Sequence, residues 1–70
     1  MDRVRVVSSN LYSVGYDPLS SILEIKFTSG AVYRYFRVGV AVYEGLMSAR
    51  SKGSYFAHII RYAYRYVRVA

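Results

Sequence analysis

Apolar and polar residues alternate through the first half of the chain with a period of two, which is typical of half-buried β-strands. The stretches 4–7, 11–16 and 23–27 predict the first three strands. Between the second and third, the segment 17–20 predicts a turn, because Asp favours its first position and Pro pre-sets the backbone of its second. These elements predict an antiparallel meander at the start of the chain.

The next turn determines how the third and fourth strands pair. A three-residue loop at 28–30 that ends in a left-handed glycine pairs Ile25 with Tyr33 and Glu24 with Arg34. A two-residue loop would instead pair Ile25 with Arg34 and would turn one strand over. The three-residue loop is favoured, because it collects the apolar partners on one face and pairs opposite charges on the other.

Beyond the fourth strand the pattern becomes helical. If the alternation of the fourth strand continues, Val38 points away from the core. From residue 40 the spacing of apolar residues changes, and over 40–50 it predicts a short amphipathic helix. Gly53 is a candidate left-handed C-cap, and Ser54 is a candidate N-cap for a second helix over about 55–62. The connection between the two helices is therefore predicted to lie near Gly53.

The tail at 64–69 alternates again and has two interpretations, a last strand or the frayed end of the second helix. Periodicity favours the strand. The predicted fold class is α+β: a small antiparallel sheet of three to four strands, two short helices packed on one face, and a short C-terminal strand if the tail is extended. With 70 residues, the chain is predicted to be a single domain over 1–70 that buries only about 60% of its unfolded surface.

Composition excludes several classes of site. The chain has no cysteine and one histidine, so it lacks the nitrogen and sulfur ligands of a structural zinc site. It shows no arrangement of nucleophile, base and orienting group around His58, and the prediction is a non-enzyme without a cofactor or metal. No apolar run is long enough to span a membrane, and the charged N-terminus does not resemble a signal peptide, so a cytoplasmic location is expected.

Charge and aromatic content point to an anionic partner. The net charge is +6, and eight of the ten cationic residues are arginine, which binds phosphate through two parallel hydrogen bonds. Tyrosine and arginine are interleaved in two runs, at 33–37 and 61–68. Aromatic faces stack on bases, and basic side chains neutralise the backbone of a single strand. The candidate nucleic-acid-binding residues are Arg34, Arg37, Lys52, Arg61, Tyr62, Tyr64, Arg65, Tyr66 and Arg68.

Each candidate also has a structural interpretation. The hairpin register makes Tyr33 and Tyr35 mainly core residues and offers Arg34 an acidic partner across the strand pair. The run at 61–68 has no acid near it in sequence, but it could also be an edge strand protected by charge. The segment 51–54 could bind an anion at a helix start, although helix capping alone explains its glycine and serines.

A set of motifs in a fixed order resembles the KTSC domain, which is named for the C-terminal extension of some lysyl-tRNA synthetases and is also found as small free-standing bacterial proteins. The matching segments, within a region from about Val7 to Val69, are 8–9, 14–17, 23–27, Gly30 followed by 33–35, 42–43 with Leu46, 51–56 and 60–61. The chain departs from the family pattern at Gly39, where the family usually has proline, and at Ala57, where it usually has asparagine. The resemblance implies a compact α+β domain, with RNA binding implied only through the synthetase context.

Two hypotheses about function follow. The leading one is a non-catalytic accessory module that binds nucleic acid, with RNA favoured over other single strands, through its basic, tyrosine-rich surface. The alternative is a protein–protein interaction or self-association module, such as a homodimer, because aromatic residues and arginine are also enriched at protein interfaces.

Overall fold

Five antiparallel strands form one sheet, in which spatial order follows chain order. The computed structural model describes residues 1–70. The strands are β1 (Val4–Arg5), β2 (Leu11–Asp17), β3 (Ile22–Phe27), β4 (Val32–Tyr35) and β5 (Tyr66–Arg68). Between β4 and β5 lie α1 (Val40–Ser48) and α2 (Lys52–Tyr55), which continues directly into a π-helical segment (Phe56–Ile60). The predicted α+β class is confirmed, and the tail is a strand that brings the sheet to five.

The register of the β3–β4 hairpin is the predicted one. Ile25 lies opposite Tyr33 and Glu24 opposite Arg34. Gly30 has a φ of 98°, the left-handed conformation that the three-residue loop requires. Apolar pairing on one face therefore determined the register, as the sequence predicted.

The hydrophobic core lies between one face of the sheet and the two helices. Buried residues of β2, β3 and β4 meet buried residues of the two helices. The core consists of Val6, Leu11, Val14, Leu23, Ile25, Tyr35, Val38, Leu46, Phe56 and Ile60. The opposite face of the sheet is not covered by a helix.

Val38 lies inside this core, so the predicted outward orientation is wrong. Alternation stops when β4 ends at Tyr35, and Arg37 then adopts a left-handed conformation with a φ of 57°. The reversal turns Val38 inward, where its side chain has no solvent exposure and its N–H donates to the carbonyl oxygen of Ser21 at 2.9 Å. A single residue of unusual backbone conformation thus changes which face the chain presents.

The connection between the helices differs from the prediction. Helix α1 ends at Ser48, and the N-cap of α2 is Ser51, whose hydroxyl accepts a hydrogen bond from the N–H of Ser54. Gly53 and Ser54 therefore lie within the helix, and neither caps it. Gly53 packs so closely against Asn10 that a Cβ atom would clash with the Asn10 side chain. Close packing, and not a helix end, explains this glycine.

The second half of the predicted second helix is wider than an α-helix. The N–H of Arg61 donates to the carbonyl oxygen of Phe56 at 2.9 Å, which is the spacing of a π-turn. Phe56 and Ile60 are buried by this geometry, whereas Ile59 is 43% exposed. The π-turn also places the Arg61 guanidinium 5.5 Å from the centre of the Phe56 ring.

Candidate nucleic-acid interface

The two tyrosine–arginine runs lie side by side in the sheet. Strand β4 contains the start of the first run and β5 the end of the second, with Tyr33 opposite Arg68 and Tyr35 opposite Tyr66. The pairing continues beyond the strands, because the N–H of Phe36 donates to the carbonyl oxygen of Arg65 at 2.9 Å. Two segments that are far apart in sequence therefore form one surface.

An open groove of about 600 Å³ lies where this surface meets the second helix. We call it the aromatic groove. Its walls come from β4, β5, the β3–β4 turn and the residues that follow the π-helical segment. The residues that line it are Asn10, Phe27, Thr28, Ser29, Ala31, Tyr33, Tyr35, Phe56, Arg61, Tyr62, Tyr66 and Arg68.

Three tyrosines form the strand side of the aromatic groove. The ring of Tyr66 lies 5.6 Å from that of Tyr33 and 5.7 Å from that of Tyr35, at tilted angles. These distances fall within the range of favourable aromatic pairs. Packing of the rings against one another holds this wall in place before any ligand arrives.

The floor of the groove contains a tyrosine that stays neutral. Burial, together with the neighbouring Tyr33 and Tyr66, raises the pKa of Tyr35 to about 12. At neutral pH its phenol is therefore protonated and can act as a hydrogen-bond donor.

Arginines border the aromatic groove on both sides. The Arg61 guanidinium lies 5.9 Å from the centre of the Tyr62 ring, and Nε of Arg68 donates to the main-chain oxygen of Ala70 at 2.8 Å. Neither arginine is paired with an aspartate or glutamate side chain, since both ion pairs of the chain involve Glu24. Their charges are available to an anionic ligand.

A second open groove, of about 470 Å³, lies at the other end of the β4–β5 pair. We call it the basic groove. It is lined by Phe36, Arg37, Ala63, Tyr64, Arg65 and Tyr66. Tyr66 lines both grooves, and seven of the nine predicted site residues line one groove or the other.

The remaining two candidates lie elsewhere. Arg34 is on the opposite face of the sheet, where its Nε donates to Oε1 of Glu24 at 2.7 Å, and Arg3 binds the other oxygen of that carboxylate. Burial alone would raise the pKa of Glu24, but the hydrogen bonds from Arg34 and Arg3 outweigh it and hold the pKa below its ordinary value. Lys52 donates from Nζ to the carbonyl oxygen of Ala49 at 3.1 Å, outside both grooves.

His58 lies on the exposed side of the second helix. Its Nδ1 is 2.8 Å from the carbonyl oxygen of Ser54, one helical turn earlier. No cluster of three or more histidine, aspartate or glutamate side chains could hold a metal ion. None of the helices is long and apolar enough to cross a membrane.

Comparison with known proteins assigns the family. The model of the KTSC domain matches residues 7–69. The chain belongs to the KTSC domain family. The name of this family refers to a domain and not to a reaction.

Relatives of this KTSC domain occur both alone and within larger proteins. An uncharacterized protein of Stutzerimonas stutzeri is 46% identical over 70 residues, which cover 99% of each chain. A KTSC domain protein of Yersinia pestis has a crystal structure with a TM-score of 0.96 and 35% identity, covering 99% of this chain and 97% of that one. A lysine–tRNA ligase of Nostoc is 38% identical over 55 residues, which are 79% of this chain but 10% of the ligase.

The aromatic groove of this KTSC domain contains several residues that the sequence does not predict as site residues. The hairpin register predicts that Tyr33 is mainly a core residue, yet it is only partly buried and forms part of the groove wall. Alternation in β4 indicates which face Tyr33 occupies, but not that the helices leave part of this face open. Asn10 and Ser29 come from other parts of the chain, and no local pattern indicates that they meet β5.

Proposed function

We propose that this KTSC domain is a non-catalytic module that binds single-stranded nucleic acid, RNA in particular, across the aromatic and basic grooves. The observation that carries the proposal is the pairing of β4 with β5, which joins both tyrosine–arginine runs into one surface. Single-strand-binding proteins combine stacking aromatic side chains with a positively charged groove, and both features are present here. A cytoplasmic location, where such RNA occurs, is part of the proposal.

Accessible tyrosine rings would stack on the bases. Tyr62 is 89% exposed and Tyr66 is 58% exposed, so both keep ring faces that a base can reach. The groove between these two rings is where an unpaired base fits best.

Unpaired arginines would bind the phosphates. Arg61 and Arg68 line the aromatic groove, and Arg37 and Arg65 line the basic groove. None of the four takes part in an ion pair, because both ion pairs are formed at Glu24. A guanidinium without a carboxylate partner can bind a phosphate through two parallel hydrogen bonds.

The form of the grooves favours a single strand over a duplex. Bases in a duplex are stacked on each other and do not reach an aromatic wall, whereas unpaired bases can be splayed out and stacked on tyrosine. The lysine–tRNA ligase of Nostoc contains a segment similar to this chain, and its name refers to an RNA. This likeness is why RNA is favoured over single-stranded DNA.

Tyr62→Ala tests the proposal with little effect on folding, because Tyr62 is almost fully exposed. Loss of one stacked base costs about 1–3 kcal/mol, so we expect single-stranded RNA to bind about five- to 150-fold more weakly. Fluorescence anisotropy with labelled single-stranded RNA, single-stranded DNA and duplex RNA measures this. Tyr12→Ala is the matched control, since Tyr12 is also exposed but lines neither groove.

Titration at several salt concentrations completes the test. Affinity for a single strand should fall with salt, with a logarithmic slope of about −0.7 for each phosphate that is contacted. If the folded wild-type protein binds no nucleic acid at low salt, the proposal is wrong.

One observation favours self-association as a second candidate function. Strand β5 is at the edge of the sheet, and Val67 and Val69 are 45% and 43% exposed. An exposed edge strand with apolar side chains can pair with a second copy. Such a dimer would have to bring Arg65 and Arg68 of two chains together, and repulsion between like charges opposes this arrangement.

A further inference from the structure

Arg37 has a backbone conformation that arginine rarely adopts. Its φ is 57°, in the left-handed region, where Gly, Asn and Asp are the usual residues. Residues held in such conformations cost free energy and tend to occur at functional sites. The position therefore raises the question of why an arginine is found there.

The fold needs the backbone of this residue but not its side chain. The left-handed turn brings Val38 into the core and lets its N–H bind the carbonyl oxygen of Ser21 at 2.9 Å. The side chain of Arg37 is exposed and takes no part in the ion pairs of the chain. Glycine or asparagine would make the same turn with less strain.

Arg37 instead lines a groove that a second arginine shares. Arg65 lines the same basic groove, and the hydrogen bond from the N–H of Phe36 to its carbonyl oxygen keeps it beside Arg37. Two arginines line this one groove and neither takes part in an ion pair, so one anion can accept hydrogen bonds from both. This pairing is the second observation, independent of strain, that points to a ligand.

We infer that Arg37 and Arg65 together bind one backbone phosphate of the single strand, while the arginines of the aromatic groove bind another. The inference rests on the proposed function and specifies its ligand. Tyr66 is the wall between the two grooves, and Arg65 and Arg68 are separated by about 10 Å along an extended strand. The ligand is therefore an oligonucleotide that passes over Tyr66 and carries at least two phosphates, not a mononucleotide.

Arg37→Gly separates the two roles of this residue. We expect a melting temperature equal to or above that of the wild type, because the strain is relieved. Binding to single-stranded RNA should weaken about tenfold, as expected for the loss of a charged hydrogen bond. The salt slope should become shallower by about 0.7, the contribution of one phosphate. Arg37→Asn is a second variant that suits the same conformation and should behave alike.

Two further variants serve as controls. Arg50→Ala removes the same charge from an exposed position that lines neither groove, and it should leave the salt slope unchanged. Arg37→Lys keeps a point charge but loses the planar fork, so it should retain the slope while binding less tightly than the wild type. Uridine monophosphate, with one phosphate, should bind much more weakly to the wild type than oligouridylate does.

The outcomes distinguish this inference from the proposed function. Suppose Arg37→Gly and Arg37→Asn bind RNA as tightly as the wild type, while Tyr62→Ala binds weakly. The inference would then be overturned and the proposed function would stand. The inference would also be wrong if both Arg37 variants melted well below the wild type, since the side chain would then serve the fold. If the wild type bound no nucleic acid, the proposed function itself would fail.

Discussion

Glu24 binds two arginines on the face of the sheet that lies away from the helices. It is 4% exposed, lies opposite the helices, and accepts hydrogen bonds from Arg3 near the N-terminus and Arg34 on β4. A buried carboxylate is tolerated only when its charge is paired and hydrogen-bonded, and these two arginines meet that need. The same contacts remove Arg34 from the set of arginines available to a ligand.

This carboxylate should make the stability of the protein sensitive to acid. Its pKa in the folded protein lies below the ordinary value of 4.5, so its contribution is fully present above pH 4.5 and is lost as the pH falls through the folded pKa. Urea unfolding at several pH values should show the free energy of unfolding falling in that range. Glu24→Gln should cost about 1–3 kcal/mol at neutral pH, because it leaves two arginines without their carboxylate.

The variant also supplies the control for acid sensitivity. Asp17, whose pKa is lowered by hydrogen bonds from Ser20 and Leu19, is retained in Glu24→Gln and accounts for part of the acid response. The slope of stability against pH should therefore be smaller in the variant, but not zero. Equal slopes for the two proteins would contradict the role given to Glu24.

At the scale of elements, β5 connects the fold to the candidate interface. It is a strand of three residues at the edge of the sheet, yet it contributes Tyr66 and Arg68 to the aromatic groove. The pairs Phe36–Arg65 and Val32–Val69 are hydrogen-bonded, and alternation along an antiparallel ladder makes Arg34–Val67 between them a bonded pair as well. The N–H of Val67 therefore points to β4, while its side chain is partly exposed.

Val67→Pro should detach β5 without disturbing the buried core. Proline removes the N–H that binds β4, and the loss should lower the free energy of unfolding by about 1 kcal/mol. Amide hydrogen exchange should show loss of protection along β4, and single-stranded RNA should bind more weakly because Tyr66 and Arg68 are no longer held in place. Val67→Thr, which keeps the N–H and the β-branched shape, is the control. If Val67→Pro bound RNA normally, β5 would not be part of the interface.

At the scale of the whole molecule, charge is distributed unevenly. The net charge is +6, and the central acid, Glu24, is engaged on the face of the sheet away from the grooves. The aromatic and basic grooves therefore carry arginines that no aspartate or glutamate neutralises. A field of one sign speeds association with an anionic ligand and opposes association between identical chains.

This distribution predicts a monomer that binds one strand. Light scattering over a range of protein concentrations should give the mass of a single chain, and added short single-stranded RNA should give a one-to-one complex. A stable dimer whose interface buries Tyr66 would remove the stacking surface and would support self-association instead. Repeating the measurement at high salt provides the control, since screening weakens repulsion between the two edges.

Local patterns determined much of this architecture. The pairing of Glu24 with Arg34, the glycine-closed turn at Gly30 and the return of the tail as a strand all follow from periodicity and turn chemistry over short distances. Local patterns predict the start of α2 incorrectly, because they favour Ser54 as the N-cap and the N-cap is Ser51. Ser51 and Ser54 are both good capping residues, and in the structure it is the Ser51 hydroxyl that accepts the capping hydrogen bond.

The sequence by itself determined the α+β class, the hairpin register, the KTSC family and the set of arginines and tyrosines on which the proposed function depends. Only the tertiary structure decided how those residues are grouped. It pairs the two tyrosine–arginine runs side by side in the sheet, brings Arg3 to Glu24 beside Arg34, and places Arg37 in a strained turn beside Arg65. The physical reason is range: alternation and turn preferences act between neighbours along the chain, whereas partners far apart in sequence are selected when the whole core is packed.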